Sequence, residues 1–171
     1  MGITPTDKEQ EVRNIDVIIS KGNEDGDITY ANPIFFKLAG YEADELLEKP
    51  HSIIRHPDMP KIIFKILWDN LHAGNDVHTF VKNLSKDGSF YWVYAYVRVA
   101  TNPDGSFRNY VSTRKTMSKN AREIIEPLYV KLLEAENSEI DKASIILDEF
   151  LSSQGGSLDK LNDTMIKLQN S

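Results

Sequence analysis

The alternation of apolar and polar side chains after residue 76 constrains the fold of this chain more than any other feature. Residues 77–84 and 90–100 alternate with a period of two, which is typical of β-strands, and Asp87-Gly88 between them is a turn sequence. A second turn sequence, Asn102-Pro103-Asp104-Gly105, precedes a third strand-like stretch at residues 108–117. Successive strands joined by such short turns pair in opposite directions. This half of the chain therefore predicts an antiparallel sheet.

The first half of the chain predicts two further strands and a group of short helices. Residues 15–20 and 28–31 are rich in β-branched residues and flank a glycine-containing turn, which indicates a hairpin. Asn32-Pro33 is a typical helix start, and Gly40 is a typical residue just after a helix. The order of elements is that of an α+β protein, and we expect a five-stranded antiparallel sheet covered by short helices on one face. A curved sheet with such a cover encloses a pocket.

Both ends of the chain are expected to extend this central domain. Residues 4–13 are polar and favour a short capping helix. After residue 118, three amphipathic stretches predict helices, the first either kinked or begun afresh at Pro127. We expect these helices to pack within the chain or in a dimer, and the alternative is a dedicated partner-binding helix. The predicted divisions are a cap at 1–14, a central domain at 15–118 and a helical tail at 119–171.

The amino-acid composition excludes several functional classes. The chain has no cysteine, which excludes disulfide scaffolds, Cys-ligated metals and cysteine nucleophiles, and its net charge of −6 argues against a nucleic-acid partner. No apolar run approaches the roughly 18 residues of a membrane span, and residues 1–14 are polar and contain no signal-peptide core. Nucleophile-elbow, P-loop and dinucleotide-binding motifs are absent. We therefore expect a cytoplasmic protein that is not an enzyme and does not insert into a membrane.

The most unusual local sequence is Arg55-His56-Pro57-Asp58-Met59-Pro60, called the hexapeptide below. Its two prolines cannot lie inside one helix, so it predicts an ordered turn that leads into an apolar helix ending near Gly74. The free N–H groups of a helix start, together with Arg55 and His56, favour phosphate or another anion. Asp58 is expected to cap the helix or to pair with Arg55. The alternative is a capped turn with a surface ion pair.

One amide and several aromatic residues indicate a planar ligand. Asn83 lies within a predicted strand, where amides are uncommon, and its side chain can both donate and accept hydrogen bonds at a ligand edge. The aromatic residues that can stack on a planar ring are Phe35, Trp68, Phe80, Trp92 and Tyr94. For these aromatics the alternative is an ordinary hydrophobic core.

The four histidines do not predict a metal site. His51 and His56 are spaced neither for one face of a helix nor for one face of a strand, and no carboxylate cluster lies near them in the sequence. In an alternative function, His72 or His78 is an axial haem ligand.

Taken in order, these motifs resemble the PAS sensor domain of bacterial aerotaxis and energy-taxis receptors, over residues 4–129. The resemblance lies in the first helix with its turn, the hexapeptide with two downstream aromatics, a hairpin, the last strand and the linker beyond it. These segments are Asn32-x-x-Phe35-x-x-x-x-Gly40-Tyr41, Arg55 to Pro60 with Phe64 and Trp68, Val81-Lys82-Asn83 with Asp87-Gly88-x-x-Tyr91-Trp92, Tyr110-x-Ser112-x-Arg114, and Glu126-Pro127-Leu128-Tyr129.

The resemblance implies a noncovalently bound FAD that serves as a redox sensor. Trp68 would pack on the cofactor, Asn83 would address the isoalloxazine edge, and Asn32 would brace the first helix. The hexapeptide would support the flavin site, and further aromatic residues would complete its walls. The full set of expected cofactor-binding residues is Arg55, His56, Asp58, Trp68, Asn83, Phe35 and Trp92.

The implied function is to sense the redox or energy state of the cell, which is linked to oxygen, and to signal for aerotaxis or energy taxis. The implied partner is a methyl-accepting chemoreceptor-type protein, and the chain is expected to form a homodimer through its signalling tail. The alternative is a cofactor-free or haem-binding PAS module that mediates interaction or dimerisation.

Overall fold

The computed structural model describes residues 2–171 and contains one five-stranded antiparallel sheet. Its strands are β1 (Ile18–Gly22), β2 (Ile28–Ala31), β3 (Val77–Leu84), β4 (Phe90–Thr101) and β5 (Phe107–Thr116). Across the sheet the order is β2–β1–β5–β4–β3. The predicted α+β fold is confirmed. β1 begins later than predicted because residues 13–16 form a turn, in which Arg13 Nη2 donates to Asp16 Oδ1 at 2.7 Å.

Strand register decides which side chains share a face of the sheet. Asn83 lies opposite Tyr91, and Ala95 lies opposite Arg114. Directly opposed residues of an antiparallel pair point to the same face, so all four lie on one face, called the inner face. Trp92, the neighbour of Tyr91, points to the opposite or outer face.

Three short helices follow β2 and cover the inner face, namely α1 (Pro33–Ala39), α2 (Ala43–Leu46) and α3 (Lys61–His72). α1 ends at Gly40 as predicted, where the backbone is left-handed with φ 73°. The Asn32 side chain does not cap α1. Its Oδ1 accepts from Ile19 N at 3.0 Å and its Nδ2 donates to Val17 O at 2.8 Å, so it fastens the start of α1 to β1.

The N-terminal segment is extended, and the predicted capping helix at residues 4–13 is wrong. Gln10 N donates to Phe90 O at 2.7 Å, and Phe90 N donates to Lys8 O at 3.0 Å. The Gln10 amide also donates to Leu38 O at 2.9 Å and to Ser85 Oγ at 2.7 Å. These bonds pair backbone and side-chain groups of the segment with the central domain. The paired backbone groups are therefore not free to form the hydrogen bonds of a helix.

The C-terminal region folds back onto the outer face of the sheet. It consists of α4 (Lys119–Ser138), α5 (Ile140–Ser153) and α6 (Leu161–Asn170), which confirms the helical extension. Side chains of α4 and α6 share one core with outer-face residues of β3 and β4, including Phe80, Trp92, Ile125, Leu128, Leu132 and Met165. The Tyr129 hydroxyl of α4 donates to Phe80 O at 2.7 Å. Helices therefore cover both faces of the sheet.

α4 is one continuous helix through Pro127, so of the two predicted alternatives, a kink or a fresh start at that residue, the fresh start is wrong. Proline costs the helix one hydrogen bond, but Ile125 before it and Leu128 after it are buried in the same core, which offsets that loss. Within residues 2–171, neither α4 nor any other helix is long and apolar enough to cross a membrane.

Candidate functional site

A cavity of about 280 Å³ lies between the inner face of the sheet and α3. Four strands form one side of it, and α3 with the 3-10 turn His51–Ile54 forms the other. The lining is mainly apolar, and its polar side chains include Ser20, His51, Arg55, Asn83, Ser112 and Arg114. Small-molecule sites have this character and span roughly 300–1,000 Å³, so the cavity suits one compact ring system.

One wall of the cavity is aromatic. Trp68 of α3 meets Tyr110 of β5 edge to face, with ring centroids 5.3 Å apart. Gly26, in the turn between β1 and β2, lies against the Trp68 ring, and a Cβ atom built there would come within 3.1 Å of it. The backbone of Gly26 is also left-handed, with φ 86°. Both the close approach and the conformation require glycine at this position.

Arg55 connects the hexapeptide to both the cavity and the edge strand β3. Its backbone pairs with that of Asn83, and its guanidinium lies over the Phe64 ring at 3.6 Å. The Arg55 side chain lines the opening of the cavity while remaining exposed to solvent. It therefore supplies positive charge where a ligand would emerge.

His56 and Asp58 support the turn itself and do not line the cavity. His56 is buried against Phe90, and its Nδ1 accepts from Asp58 N at 3.1 Å. Burial, and to a lesser extent the nearby Lys82, lowers the pKa of His56. The Asp58 carboxylate accepts from Lys82 Nζ at 2.7 Å, so the predicted pairing with Arg55 is wrong. The cation that pairs with Asp58 is Lys82 of β3, the strand next to the turn.

The N-terminus of α3 is occupied by a carboxylate from the C-terminal region. Glu136 of α4 accepts from Lys61 N at 2.9 Å and from Ile62 N at 2.7 Å. Asp58 therefore does not cap α3, contrary to the prediction. The anion expected at this helix start is a side chain of the same chain.

The most buried end of the cavity holds a positive charge. Arg114 is 5% exposed, and its Nη2 donates to Ser20 Oγ at 2.6 Å. Burial lowers the pKa of Arg114 to about 10, which leaves it charged at neutral pH. Burial, with Arg114 adding to the effect, lowers the pKa of His51 to about 3. His51 is thus neutral, and its Nε2 lies 3.1 Å from Ser20 Oγ, within hydrogen-bond distance.

Three buried polar atoms near this end have no hydrogen-bond partner within residues 2–171, namely Arg114 Nη1, Asn83 Nδ2 and Tyr91 Oη. Burial raises the pKa of Tyr91 to about 12, so its hydroxyl keeps its proton at neutral pH. Buried polar atoms without partners are costly and uncommon in folded proteins. Arg114 and Asn83 line the cavity and Tyr91 does not, so the two unpartnered donors at the cavity wall, Arg114 Nη1 and Asn83 Nδ2, fit a ligand whose buried edge carries hydrogen-bond acceptors.

Three of the expected cofactor-binding residues line the cavity, namely Arg55, Trp68 and Asn83. Their contact with a cofactor stays a prediction. Phe35 lies behind the polar end, in the inner-face core, where the Arg114 guanidinium is 5.1 Å from its ring centroid. Phe35 does not line the cavity, and neither do His56 and Asp58.

The expectation that Phe80, Trp92 and Tyr94 line the same cavity is wrong. They occupy positions of β3 and β4 that point to the outer face, and Trp92 packs on Tyr129 of α4 with ring centroids 6.0 Å apart. The sequence does not distinguish the two faces because helices cover both. Apolar residues therefore occur at consecutive positions of these strands.

The histidines offered as haem ligands do not line the cavity. His72 is exposed on α3, and His78 lies on the outer face, stacked on Tyr96 with its Nδ1 2.6 Å from Tyr94 Oη. Of the histidines within residues 2–171, only His51 lines the cavity, and its Nε2 is hydrogen-bonded to Ser20 Oγ. That same part of the chain has no group of three or more His, Asp or Glu side chains placed to hold a metal ion.

The buried cluster of Ser20, His51 and Arg114 was not predicted from residue chemistry. Arg114 could have been found from the alternation of β5, since Tyr110, Ser112 and Arg114 share one face of the strand and that face is the inner one. A charged residue at an inward-facing strand position indicates a functional site, because a buried charge is costly unless it is paired or hydrogen-bonded. His51 and Ser20 carry no such signal.

Comparisons with known proteins agree on the type of domain. The PAS_3 family, described as a PAS fold, matches residues 28–114. The aerotaxis receptor of Escherichia coli (strain K12) is 39% identical over 105 residues, which are 61% of this chain and 21% of that protein. The nitrogen fixation regulatory protein of Klebsiella pneumoniae is 27% identical over 139 residues, which are 81% of this chain and 28% of that protein. The chain thus spans less than a third of either relative.

Solved structures of photoreceptor domains share the fold. A light-oxygen-voltage domain from a study with a flavin analogue is 25% identical and superposes with a TM-score of 0.55, covering 72% of this chain and 87% of that one. The light-state LOV domain of the blue-light photoreceptor Aureochrome1 is 24% identical, with a TM-score of 0.54 over 71% of this chain and 89% of that one.

Proposed function

This chain belongs to the PAS family, and we propose that it is a sensor that binds FAD noncovalently in the cavity between α3 and the inner face of the sheet. The sensor responds to the redox or energy state of the cell, which is linked to oxygen. Its output is a change in the C-terminal helices that a chemoreceptor-type signalling protein detects. The similarity to the aerotaxis receptor supports an output to a chemoreceptor-type signalling protein.

The observation that carries the proposal is an aromatic wall and unpartnered donors in one cavity. Trp68 and Tyr110 offer ring surfaces for a planar ligand, while Arg114 and Asn83 carry donors that no group within residues 2–171 satisfies. An isoalloxazine ring has a flat apolar face and an edge of carbonyl and ring-nitrogen acceptors, and it fits this combination. The chain has no cysteine, so no cysteinyl bond to the ring can form.

Bound FAD would supply a reversible uptake of electrons that changes the charge and protonation of its ring. The Asn83 amide can respond, because rotation of this group exchanges a donor for an acceptor. Arg55 at the opening would supply positive charge for the phosphate groups. Trp68 and Tyr110 would limit the access of water to the ring.

A change at Asn83 has a short route to the C-terminal helices. Asn83 points inward from β3, and Phe80 of the same strand points outward into the core with α4. The Phe80 carbonyl accepts from the Tyr129 hydroxyl of α4. A shift of β3 toward or away from the cavity therefore moves a strand to which α4 is directly bonded, which biases the packing of the tail.

We further propose that the protein acts as a cytoplasmic homodimer. The C-terminal helices leave large apolar side chains in solvent, with Val130 53% exposed and Ile145 57% exposed. Size-exclusion chromatography with light scattering tests the dimer. Val130→Asp should convert the dimer to a monomer, and an unaltered molecular mass would contradict a dimer interface that includes Val130.

The proposed cofactor is tested by the visible absorption spectrum of the purified protein after incubation with FAD and removal of the unbound FAD by gel filtration. We expect a flavin band that disappears with dithionite. Trp68→Ala should lower FAD affinity at least tenfold, whereas Trp92→Ala removes the same ring from the outer face and should leave affinity unchanged once folding is verified by circular dichroism. Equal losses in the two variants would show that the effect is not local to the cavity.

The alternatives predict different spectra. A colourless, folded protein that stays colourless with FAD would favour a cofactor-free PAS module. A Soret band would favour haem. Either result would overturn the proposed flavin site.

A further inference from the structure

We infer that Arg114 selects the charge of the ligand: the cavity is built for a ring whose buried edge carries negative charge, and it therefore holds reduced FAD more tightly than oxidised FAD. The choice of FAD as the ring rests on the proposed function. The selection of charge rests on Arg114 and its surroundings alone.

Arg114 has no counter-charge among the described residues. Within residues 2–171, Arg114 forms no ion pair with any Asp or Glu. The titratable groups that face it are His51, which is neutral, and Tyr91, which keeps its proton. Asp25 also lines the cavity but lies at its solvent-exposed opening. The buried end is therefore positive overall.

The Arg114 guanidinium also lacks a hydrogen-bond partner for one of its two terminal nitrogens. One Arg114 nitrogen, Nη2, donates to Ser20 Oγ, and that oxygen is shared with His51. The other terminal nitrogen, Nη1, has no partner within the part of the chain that the structure describes. A guanidinium that served only to hold strands together would be expected to pair with a carboxylate or with carbonyl oxygens. The Phe35 ring stabilises the cation from one side but accepts none of its protons in a hydrogen bond.

The positive charge of Arg114 would distinguish the redox states of a bound flavin. Two-electron reduction of a flavin with uptake of one proton adds one negative charge to the ring system. In the assay the electrons come from dithionite, and in the cell they would come from a carrier of the dihydronicotinamide or quinol class. A fixed positive charge in a cavity of low dielectric constant favours the more negative form. The reduction potential of bound FAD is then higher than that of free FAD.

The test compares Arg114→Met with Arg108→Met, which makes the same substitution at an exposed position of the same strand. Without ligand, Arg114→Met should melt at the same temperature as the parent protein or higher, because it removes a buried, unpaired charge and keeps the volume of the side chain. With FAD, Arg114→Met should bind the reduced form at least tenfold more weakly and should lower the reduction potential. Arg108→Met should match the parent protein in all three measurements.

Two results would overturn the inference. A lower melting temperature for ligand-free Arg114→Met would assign Arg114 to the structure of the sheet. An unchanged reduction potential in that variant would show that the charge does not act on the ring. Arg114→Lys keeps the charge and should keep most of the preference for the reduced form.

A second probe separates this inference from the proposed function. If the parent protein binds no FAD, the melting temperature is measured with benzoate and with benzamide, a planar anion and its neutral counterpart. Benzoate should stabilise the parent protein more than benzamide does, and Arg114→Met should abolish the difference. Equal effects of the two compounds on the parent protein would overturn the charge selection as well.

Discussion

Glu136 is predicted to anchor the C-terminal region to the sensor domain by capping α3. Glu136→Ala removes a carboxylate that accepts two backbone N–H groups, at 2.9 Å from Lys61 and 2.7 Å from Ile62. The helix has no side-chain cap of its own, since Pro60 occupies the N-cap position. Loss of a cap costs about 1 kcal/mol, and loss of a negative charge at a helix N-terminus costs roughly a further 0.3–1 kcal/mol. We therefore expect a loss of about 1–2 kcal/mol.

This loss is measurable by urea denaturation and by hydrogen exchange. For a chain of this size it corresponds to a fall in melting temperature of about 2–8 °C. The amides of Lys61 and Ile62 should exchange faster in Glu136→Ala, because their acceptor is gone. The matched control is Glu134→Ala, which removes a glutamate of the same helix that makes no side-chain hydrogen bond or ion pair within residues 2–171. Equal stability losses in the two variants, or unchanged exchange at α3, would refute the cap.

Three further predictions follow from single contacts. Gly26→Ala should destabilise the fold by roughly 1–3 kcal/mol in urea denaturation, because the backbone at this position is left-handed and the Trp68 ring leaves no room for a Cβ atom. The same change should weaken FAD binding, and full FAD affinity would contradict the assignment of Trp68 to the cavity wall. Tyr129→Phe should cost about 1–2 kcal/mol, since it leaves Phe80 O without its donor, and a neutral result would mean that water replaces the hydroxyl. His51 has a folded-state pKa of about 3, below its usual 6.5, so the unfolded state binds more protons between these values. Stability that is present above pH 6.5 is then lost toward pH 3, by at most about 1.4 kcal/mol per pH unit, and His51→Asn should flatten this part of the denaturation profile.

The capped α3 also explains why the hexapeptide differs from its sequence-based prediction. Reasoning from local sequence finds a free helix N-terminus after Pro60 and assigns an anion to it. The anion is Glu136, which lies 75 residues away from Lys61 along the chain. No local pattern marks a glutamate in an amphipathic helix as the partner of a distant helix end.

The inner and outer faces of the sheet show the same limit. The alternation of β3 identifies Asn83 and Phe80 as residues of opposite faces, but it does not say which face holds a cavity. Because the tail covers the outer face, Phe80 and Trp92 are as deeply buried as inner-face residues. Aromatic composition alone therefore could not separate the wall of a cavity from the core beneath α4.

The sequence by itself determined the local elements: the five strands, the end of α1 at Gly40 and the turn that leads into α3. These follow from side-chain periodicity and from the backbone restrictions of glycine and proline, which act over a few residues. Only the tertiary structure decided where the tail lies, which side chain caps α3 and that Arg114 meets Ser20 at the buried end of the cavity. Those contacts join distant parts of the chain, and they depend on the register and on the packing of both faces at once.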